Sequence, residues 1–137
     1  MLDTELHVEN IDKVGTLNKL PKPESKNILT GLVRKADVDY ADFFSHTAKT
    51  YTMERIPTAI NVMDIRYFLP MVGGDIDGYY KVEKVYFGTK NGRPCLKLNL
   101  STFISLGEGR VPIYRIKMQP GELITYNLMM ELYEQRI

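Results

Sequence analysis

Residues 66–100 read RYFLPMVGGDIDGYYKVEKVYFGTKNGRPCLKLNL, and this stretch decides the fold class of the chain. An Asn-Gly pair at positions 91 and 92 separates two segments that are rich in β-branched and aromatic residues. Asn-Gly readily adopts the two positive-φ positions of a type I′ turn, so the pattern predicts a β-hairpin. We expect residues 79–87 to pair with residues 95–100.

The second strand of this predicted hairpin has a regular alternation. Leucine occupies positions 96, 98 and 100, and Cys95, Lys97 and Asn99 lie between or beside them. This pattern is typical of a strand with one buried and one exposed face. In the first strand, strict alternation keeps Tyr80 on one face with positions 82, 84 and 86, and Tyr79 on the other with positions 81, 83, 85 and 87. The sequence leaves open which of these faces is buried.

Composition predicts one globular domain of ordinary character, with 44% hydrophobic and 26% charged residues in 137. No apolar run approaches the roughly 20 residues that a membrane span needs. Acidic residues occupy the N-terminus where a signal peptide would be basic, so we expect a cytoplasmic protein without a membrane association. The single cysteine, Cys95, excludes an internal disulfide, and we expect it to pack as a small hydrophobic residue or to lie half exposed.

The N-terminal part of the chain predicts an arm followed by two helices. Residues 1–23 have weak periodicity and end in Pro-Lys-Pro, which favours extended backbone, so we interpret them as an arm. The apolar stripe of residues 24–35 predicts a first helix, although Gly31 weakens it. Asp37 or Asp39 is a candidate cap for a second short helix that contains Tyr40, Phe43 and Phe44.

The remaining segments predict further strands and a final helix. Alternation predicts strands over residues 48–53 and 111–118, and a strand over 64–69 that ends at Pro70. Residues 125–135 have helical spacing after a candidate Thr125 cap. The predicted fold is therefore α+β, with residues 24–137 as a single domain. It consists of a curved antiparallel sheet or small, partly open β-barrel with two N-terminal helices and a C-terminal helix.

Positive charge is concentrated in the predicted strands. Residues 81–117 contain eight Lys or Arg and only two Glu, whereas the whole chain has a net charge of +1. A basic sheet surface is one way to bind phosphate. The alternative is that the exposed faces and edges of strands carry lysine for solubility and protection.

Tyrosines alternate with these basic residues, which is the composition of a surface that stacks bases and contacts a nucleic-acid backbone. Tyrosine also favours strands and packs half buried, so a structural role is the alternative. The candidate nucleic-acid-binding residues are Arg66, Tyr67, Tyr79, Tyr80, Lys81, Lys84, Arg93, Lys97, Arg115 and Lys117.

No catalytic motif is present. The chain has no phosphate-binding glycine motif, and its histidines, His7 and His46, are not in a recognisable catalytic or metal-binding setting. Four carboxylates at positions 64, 75, 77 and 83 would suit a two-metal nuclease, but the Asp/Glu-x-Lys pattern of such enzymes does not follow them. Asp75 and Asp77 are more simply interpreted as turn residues. We therefore expect no catalytic residue, no metal and no cofactor.

Residues 48–133 contain in order a Tyr51-x-Met53 strand, an Ile56-Pro57 break, the segments 65–70 and 78–85, and a Leu-x-Leu-x-Leu strand. In this arrangement the chain resembles the PUA-like superfamily in its ASCH and EVE-type branches. The resemblance implies a small β-barrel with flanking helices that holds RNA or a flipped modified base, often beside bacterial restriction or defence enzymes. The chain lacks tryptophan and the ASCH Gly-x-Lys-x-x-Glu-x-Arg motif, so no catalytic residue is transferred.

Three functional hypotheses follow. The first is a non-catalytic nucleic-acid-binding domain that contacts DNA or RNA through basic strand residues and tyrosines. The second is a protein-interaction subunit or inhibitor that docks through a sheet edge or through a C-terminal helix containing Tyr126, Met129, Met130 and Tyr133. The third is a small metal-dependent nuclease.

Overall fold

The structure, a computed structural model, describes residues 26–34, 38, 44–54, 62–73, 75–90, 92–107 and 121–134, together with the backbone of residues 7–12. In this part of the chain, a mixed β-sheet curls into a half-barrel, and one α-helix packs on it. The curved sheet and the C-terminal helix of the predicted fold are thus confirmed.

The sheet has eight strands within the described residues. They are β1 (His7–Asp12), β2 (Ile28–Val33), β3 (Phe44–Ser45), β4 (Thr50–Met53), β5 (Tyr67–Val72), β6 (Gly78–Lys90), β7 (Arg93–Ser105) and β8 (Leu123–Ile124). Seven of them lie in the order β3-β4-β7-β6-β5-β2-β8, and β1 pairs with β6. β2 and β5 are parallel, so the sheet is mixed and the predicted antiparallel arrangement was wrong for this pair. The other pairs are antiparallel.

The predicted hairpin is confirmed as β6 and β7, the longest pair of strands. Lys90 pairs with Arg93, so the connection has two residues, and Gly92 has a φ of 76°. Glycine adopts such a φ without strain, which explains why Gly92 occupies this position of the turn. The leucines of β7 at positions 96, 98 and 100 are buried, as the alternation predicts. Cys95, which has the opposite parity, is also buried.

Two register shifts interrupt the hairpin between Tyr80 and Val82 and between Val82 and Lys84. A β-bulge reverses which face a residue occupies, because the side-chain period of a strand is two. Tyr80 and Val82 therefore pack in the same core cluster as Val85, an odd-numbered residue. The assignment of faces by strict alternation was wrong for this reason.

The concave face of the sheet is closed by its own curvature. The rings of Tyr51 in β4 and Phe68 in β5 stack with their centroids 4.2 Å apart, although two strands separate β4 from β5. Gly31 in β2 lies over both rings, and an added Cβ would lie 2.8 Å from a Phe68 carbon and 3.0 Å from Tyr51 Cζ. Glycine at this position allows β2 to approach the two rings. We call the buried cluster on this face the inner core; its members are Leu29, Val33, Phe44, Tyr51, Met53, Ile65, Phe68, Tyr80, Val82, Val85, Leu96, Leu98 and Leu100.

Part of the convex face is covered by α1, Tyr126–Glu134. Met129, Leu132 and Tyr133 pack on residues of β2, β5 and β6, and we call this set the outer core. The Thr125 hydroxyl accepts a hydrogen bond from the Leu128 backbone N–H at 3.0 Å, which makes Thr125 the predicted cap. Within the described residues, no helix is long and apolar enough to cross a bilayer.

The first predicted helix, residues 24–35, was wrong where the structure describes it. Residues 28–33 form β2, which pairs with β5 on one side and β8 on the other. Ile28 belongs to the outer core and Leu29 to the inner core, so burial on both faces produced the apolar run that resembled a helical stripe. The second predicted helix lies mostly outside the described residues, and its Phe44 begins β3.

Pro70 lies inside β5 rather than after it, contrary to the prediction. The carbonyls of Asn27 and Val33 accept hydrogen bonds from the N–H groups of Tyr67 and Gly73. The backbone N–H groups of the odd-numbered residues of this segment therefore point toward β2. The Pro70 nitrogen therefore faces the opposite edge. β6 pairs there with Tyr67 and Phe68 only, so proline removes no ladder hydrogen bond.

Part of the predicted N-terminal arm belongs to the sheet. β1 pairs with β6 in the register His7 with Thr89 to Asp12 with Lys84. The rest of residues 1–23 lies outside the described residues. The same edge of β6 is therefore used twice, by β5 near its start and by β1 near its end.

Candidate functional site

Three of the predicted base-stacking tyrosines are in the interior. Tyr67, Tyr79 and Tyr80 have exposed fractions of 2%, 3% and 3%. Tyr67 and Tyr79 lie in the outer core, and Tyr80 lies in the inner core. These rings therefore do not form part of an exposed base-stacking surface, because α1 and the curvature of the sheet cover the two faces.

The burial of these tyrosines also affects their ionisation. Burial raises the pKa of Tyr79 to about 12, with smaller contributions from Tyr126 and Tyr67. Burial also raises the pKa of Tyr67, against the opposing charge of Arg66, and raises the pKa of Tyr51 to about 12. A neutral hydroxyl is thus favoured over phenolate in both core clusters.

Three predicted lysines share the convex face of the hairpin. Lys81 pairs with Tyr67 of the outer core, Lys84 pairs with Asn99, and Lys97 pairs with Tyr86. Directly opposed residues point to the same side of an antiparallel pair, and all three lysines are partly exposed. We call Lys81, Lys84, Tyr86 and Lys97 the basic face.

Tyr86 is the aromatic member of the basic face and was absent from the predicted site. Its hydroxyl accepts a hydrogen bond from Asn99 Nδ2 at 3.2 Å, and Lys97 Nζ lies 5.8 Å from the ring centroid. That distance is within cation–π range. The turn could have revealed this contact, since a two-residue connection that pairs Lys90 with Arg93 also pairs Tyr86 with Lys97.

Arg66 and Arg93, two further predicted cations, are not part of the basic face. Arg66 precedes β5, and its Nη1 donates to the carbonyls of Met63 and Ile65, the latter at 3.1 Å. Arg93 is exposed at the end of the hairpin turn. Arg115 and Lys117 lie outside the described residues.

A small open cleft lies on the other side of the sheet, where β5 separates from β6. It has a volume of about 130 Å³. β5 and β6 pair only over two residues, and a bridge between Val72 and Asp75 then reverses the chain. The cleft is lined by His46, Pro70, Val72, Asp75, Asp77, Gly78 and Phe103.

The cleft has a rigid base, because Gly78 packs directly on β7. A Cβ at this position would lie 2.2 Å from the Ile104 carbonyl oxygen, so any side chain would displace the strand. His46 Nδ1 and the Tyr80 hydroxyl form a hydrogen bond, and the Phe44 ring meets the imidazole edge at a centroid distance of 4.6 Å. The imidazole is therefore held in place by these two contacts.

The structure also bears on the residues of the two rival hypotheses. Met129 and Tyr133 of α1 have exposed fractions of 0% and 8%, so the predicted docking stripe packs on the sheet instead. Asp64 and Glu83 are exposed and do not line the cleft with Asp75 and Asp77. Across the described ranges, no group of three or more His, Cys, Asp and Glu side chains could hold a metal ion.

Comparison of the chain with known protein families, curated proteins and solved structures gave no match.

Proposed function

We propose that this protein is a non-catalytic nucleic-acid-binding domain that contacts the phosphate backbone of DNA or RNA through the basic face. The observation that carries the proposal is the hairpin register, which brings Lys84 and Lys97 to adjacent cross-strand positions on one partly exposed surface. Lysine side chains at such positions can each neutralise a phosphate.

Tyr86 supports this function because it is an aromatic ring held beside a lysine. Its hydrogen bond to Asn99 restrains the ring, so little side-chain freedom is lost when a base or sugar packs on it. The proposal differs from the sequence-based hypothesis in its aromatic contacts, since Tyr67, Tyr79 and Tyr80 no longer contribute. In this proposal, contact between lysine and the phosphate backbone is the main source of nucleic-acid affinity, and the Tyr86 ring makes a smaller contribution.

A role beside bacterial defence enzymes, and recognition of a modified base, rest on the resemblance to PUA-like domains alone. The cleft offers no support for base capture. Its volume of about 130 Å³ is below the roughly 150 Å³ of an engineered cavity that holds a benzene ring, and every nucleobase is larger than benzene. We therefore propose backbone binding rather than base reading.

The test is fluorescence anisotropy with mixed-sequence single-stranded and duplex DNA and RNA, at several salt concentrations. We expect the affinity to fall with salt, and Lys97→Gln to reduce the slope of log K against log salt by about 0.7 to 0.9 per lost phosphate contact. The matched control is Lys26→Gln, which removes the same charge from an exposed residue before β2. Equal slopes for the two variants, or no binding at low salt, would contradict the proposal.

A further inference from the structure

The basic face lies in a four-stranded part of the sheet. Its residues are on β6 and β7, while β1 pairs with β6 over residues 84–89 and β4 pairs with β7 over residues 96–99. Adjacent strands are about 4.8 Å apart, so the axes of the two flanking strands are about 14 Å apart. The major groove of duplex DNA is about 12 Å wide, and the minor groove is narrower. The hairpin therefore cannot enter a groove as a two-stranded ribbon, and a DNA duplex can meet the basic face only along its backbone.

One row of residues crosses three of these strands without an acidic member. Tyr86 of β6 is paired with Lys97 of β7 and with Asn10 of β1. Directly opposed residues of antiparallel strands lie on the same face. The neighbouring row places Asp12 of β1 opposite Lys84, so an acidic position lies beside that lysine. The pair of Tyr86 and Lys97 is therefore a more favourable position for an anionic ligand than Lys84.

Tyr86 supplies a restrained aromatic ring at this position. The residue is partly exposed, and its hydroxyl accepts a hydrogen bond from Asn99 Nδ2 at 3.2 Å. Lys97 Nζ lies 5.8 Å from the ring centroid, close to the limit of about 6 Å for a cation–π contact. A base that stacks on the ring can replace this weak contact, and the ammonium group can then contact the adjoining phosphate.

Stacking on Tyr86 distinguishes single strands from duplexes. Within a duplex, both faces of an internal base are covered by neighbouring base pairs, whereas the unpaired bases of a single strand can stack on an aromatic side chain. Such stacking tolerates any sequence, because every base has a π-face. It therefore adds to backbone contact without base reading.

We propose that the basic face binds single-stranded DNA or RNA in preference to a duplex, with Tyr86 stacking on one base and Lys97 contacting the phosphate beside it. This inference rests on the proposed function and adds to it the class of nucleic acid. Charge complementarity supports the choice of ligand, since three lysines share the face with the ring.

The experiment compares three fluorescein-labelled probes of equal length by fluorescence anisotropy at one salt concentration. They are oligo-dT, an oligomer in which every nucleotide is abasic, and a mixed-sequence DNA duplex. The abasic oligomer retains the phosphates of a single strand and lacks the bases. We expect oligo-dT to bind at least roughly 5-fold more tightly than the abasic oligomer, because one stacked base contributes that factor or more. It should also bind more tightly than the duplex, although the duplex has the higher charge density.

Two variants and one control test the role of the ring. Tyr86→Leu removes the ring but retains an apolar side chain, and it should lower the affinity for oligo-dT by at least roughly 5-fold while leaving the abasic oligomer and the duplex unaffected. Tyr86→Phe retains the ring and should keep most of the affinity. Tyr126→Leu makes the same change at a partly exposed tyrosine of α1 and should alter none of the three affinities. Thermal unfolding of each variant reports whether the fold is retained, and the comparison of probes on the unsubstituted chain needs no variant.

This inference is overturned if oligo-dT and the abasic oligomer bind equally, if the duplex binds more tightly than oligo-dT, or if Tyr126→Leu weakens oligo-dT binding as much as Tyr86→Leu. Binding that still depends on salt and on Lys97 would then leave the proposed function standing. The salt slope separates the two, because Tyr86→Leu removes no charge and should leave the slope unchanged, whereas Lys97→Gln reduces it. Absence of binding to all three probes would overturn both.

Discussion

The two halves of the β6–β7 hairpin are built from the same residue types but have different environments. We call the half that contains the start of β6 and the end of β7 the proximal half, and the half next to the turn the distal half. In the proximal half, Tyr79 and Tyr80 have an exposed fraction of 3% each and lie in different core clusters. In the distal half, Val85 is buried on the concave face, whereas Lys84 and Tyr86 are partly exposed on the convex face. The proximal half is thus a central part of the fold, and the distal half carries most of the basic face.

The difference arises from what covers each half. α1 packs on the proximal part of the convex face, and its buried residues contact the cluster that contains Tyr67 and Tyr79. The bulges between the halves reverse the parity of β6, so its odd-numbered residues face inward beyond them. A tyrosine in a basic strand can therefore be a core residue or a surface residue, depending on its position relative to a distant helix.

The largest expected effect concerns the helix that covers the proximal half. Met129 has an exposed fraction of 0%, so Met129→Ala should reduce the free energy of unfolding by about 3 kcal/mol through lost burial and a cavity. Leu128→Ala, at the neighbouring position, is the matched control. The Leu128 side chain is 36% exposed, so its truncation should cost less than about 1 kcal/mol. Denaturant titration measures both, and equal losses would show that α1 does not bury the proximal half.

A smaller effect is expected from pH. The pKa of Tyr79 and that of Tyr51 are raised to about 12 in the folded protein, against about 10 in the unfolded chain. The stability that each group contributes is complete below pH 10 and is lost as pH rises from 10 to 12, by up to about 1.4 kcal/mol per pH unit. Denaturant titrations across this range should show a shallower fall for Tyr79→Phe and for Tyr51→Phe than for the unsubstituted chain. An unchanged slope would contradict the burial of these hydroxyls.

The smallest effect concerns the start of α1. Thr125→Ala removes the acceptor of the Leu128 N–H and should cost about 1 kcal/mol, measured by thermal or denaturant unfolding. Thr125→Ser retains the hydroxyl and should remain close to the unsubstituted protein. If the serine and alanine variants lose equal stability, the cap does not help to hold the helix over the proximal half.

Local signals in the sequence were sufficient for several elements. The Asn-Gly turn and the leucine alternation predicted the β6–β7 hairpin, and the Thr125 cap and the apolar spacing predicted α1. Each depends on interactions within a few residues or across one tight turn, so the sequence pattern carries the information directly. The part of the basic face near the turn is also local, because the two-residue turn sets which residues of β6 and β7 are opposed there. Lys81 lies beyond the register shifts, so the turn does not determine its face.

Only the tertiary structure decided the remaining features. β2 was predicted as a helix because burial on both faces produces an apolar run without a strand period, and its pairing with β5 overrides local propensity. The burial of Tyr67, Tyr79 and Tyr80 depends on α1 and on the curvature that brings Tyr51 to Phe68. The cleft depends on where β5 leaves β6. These features arise from contacts between residues far apart in the chain, whereas periodicity reports only on near neighbours.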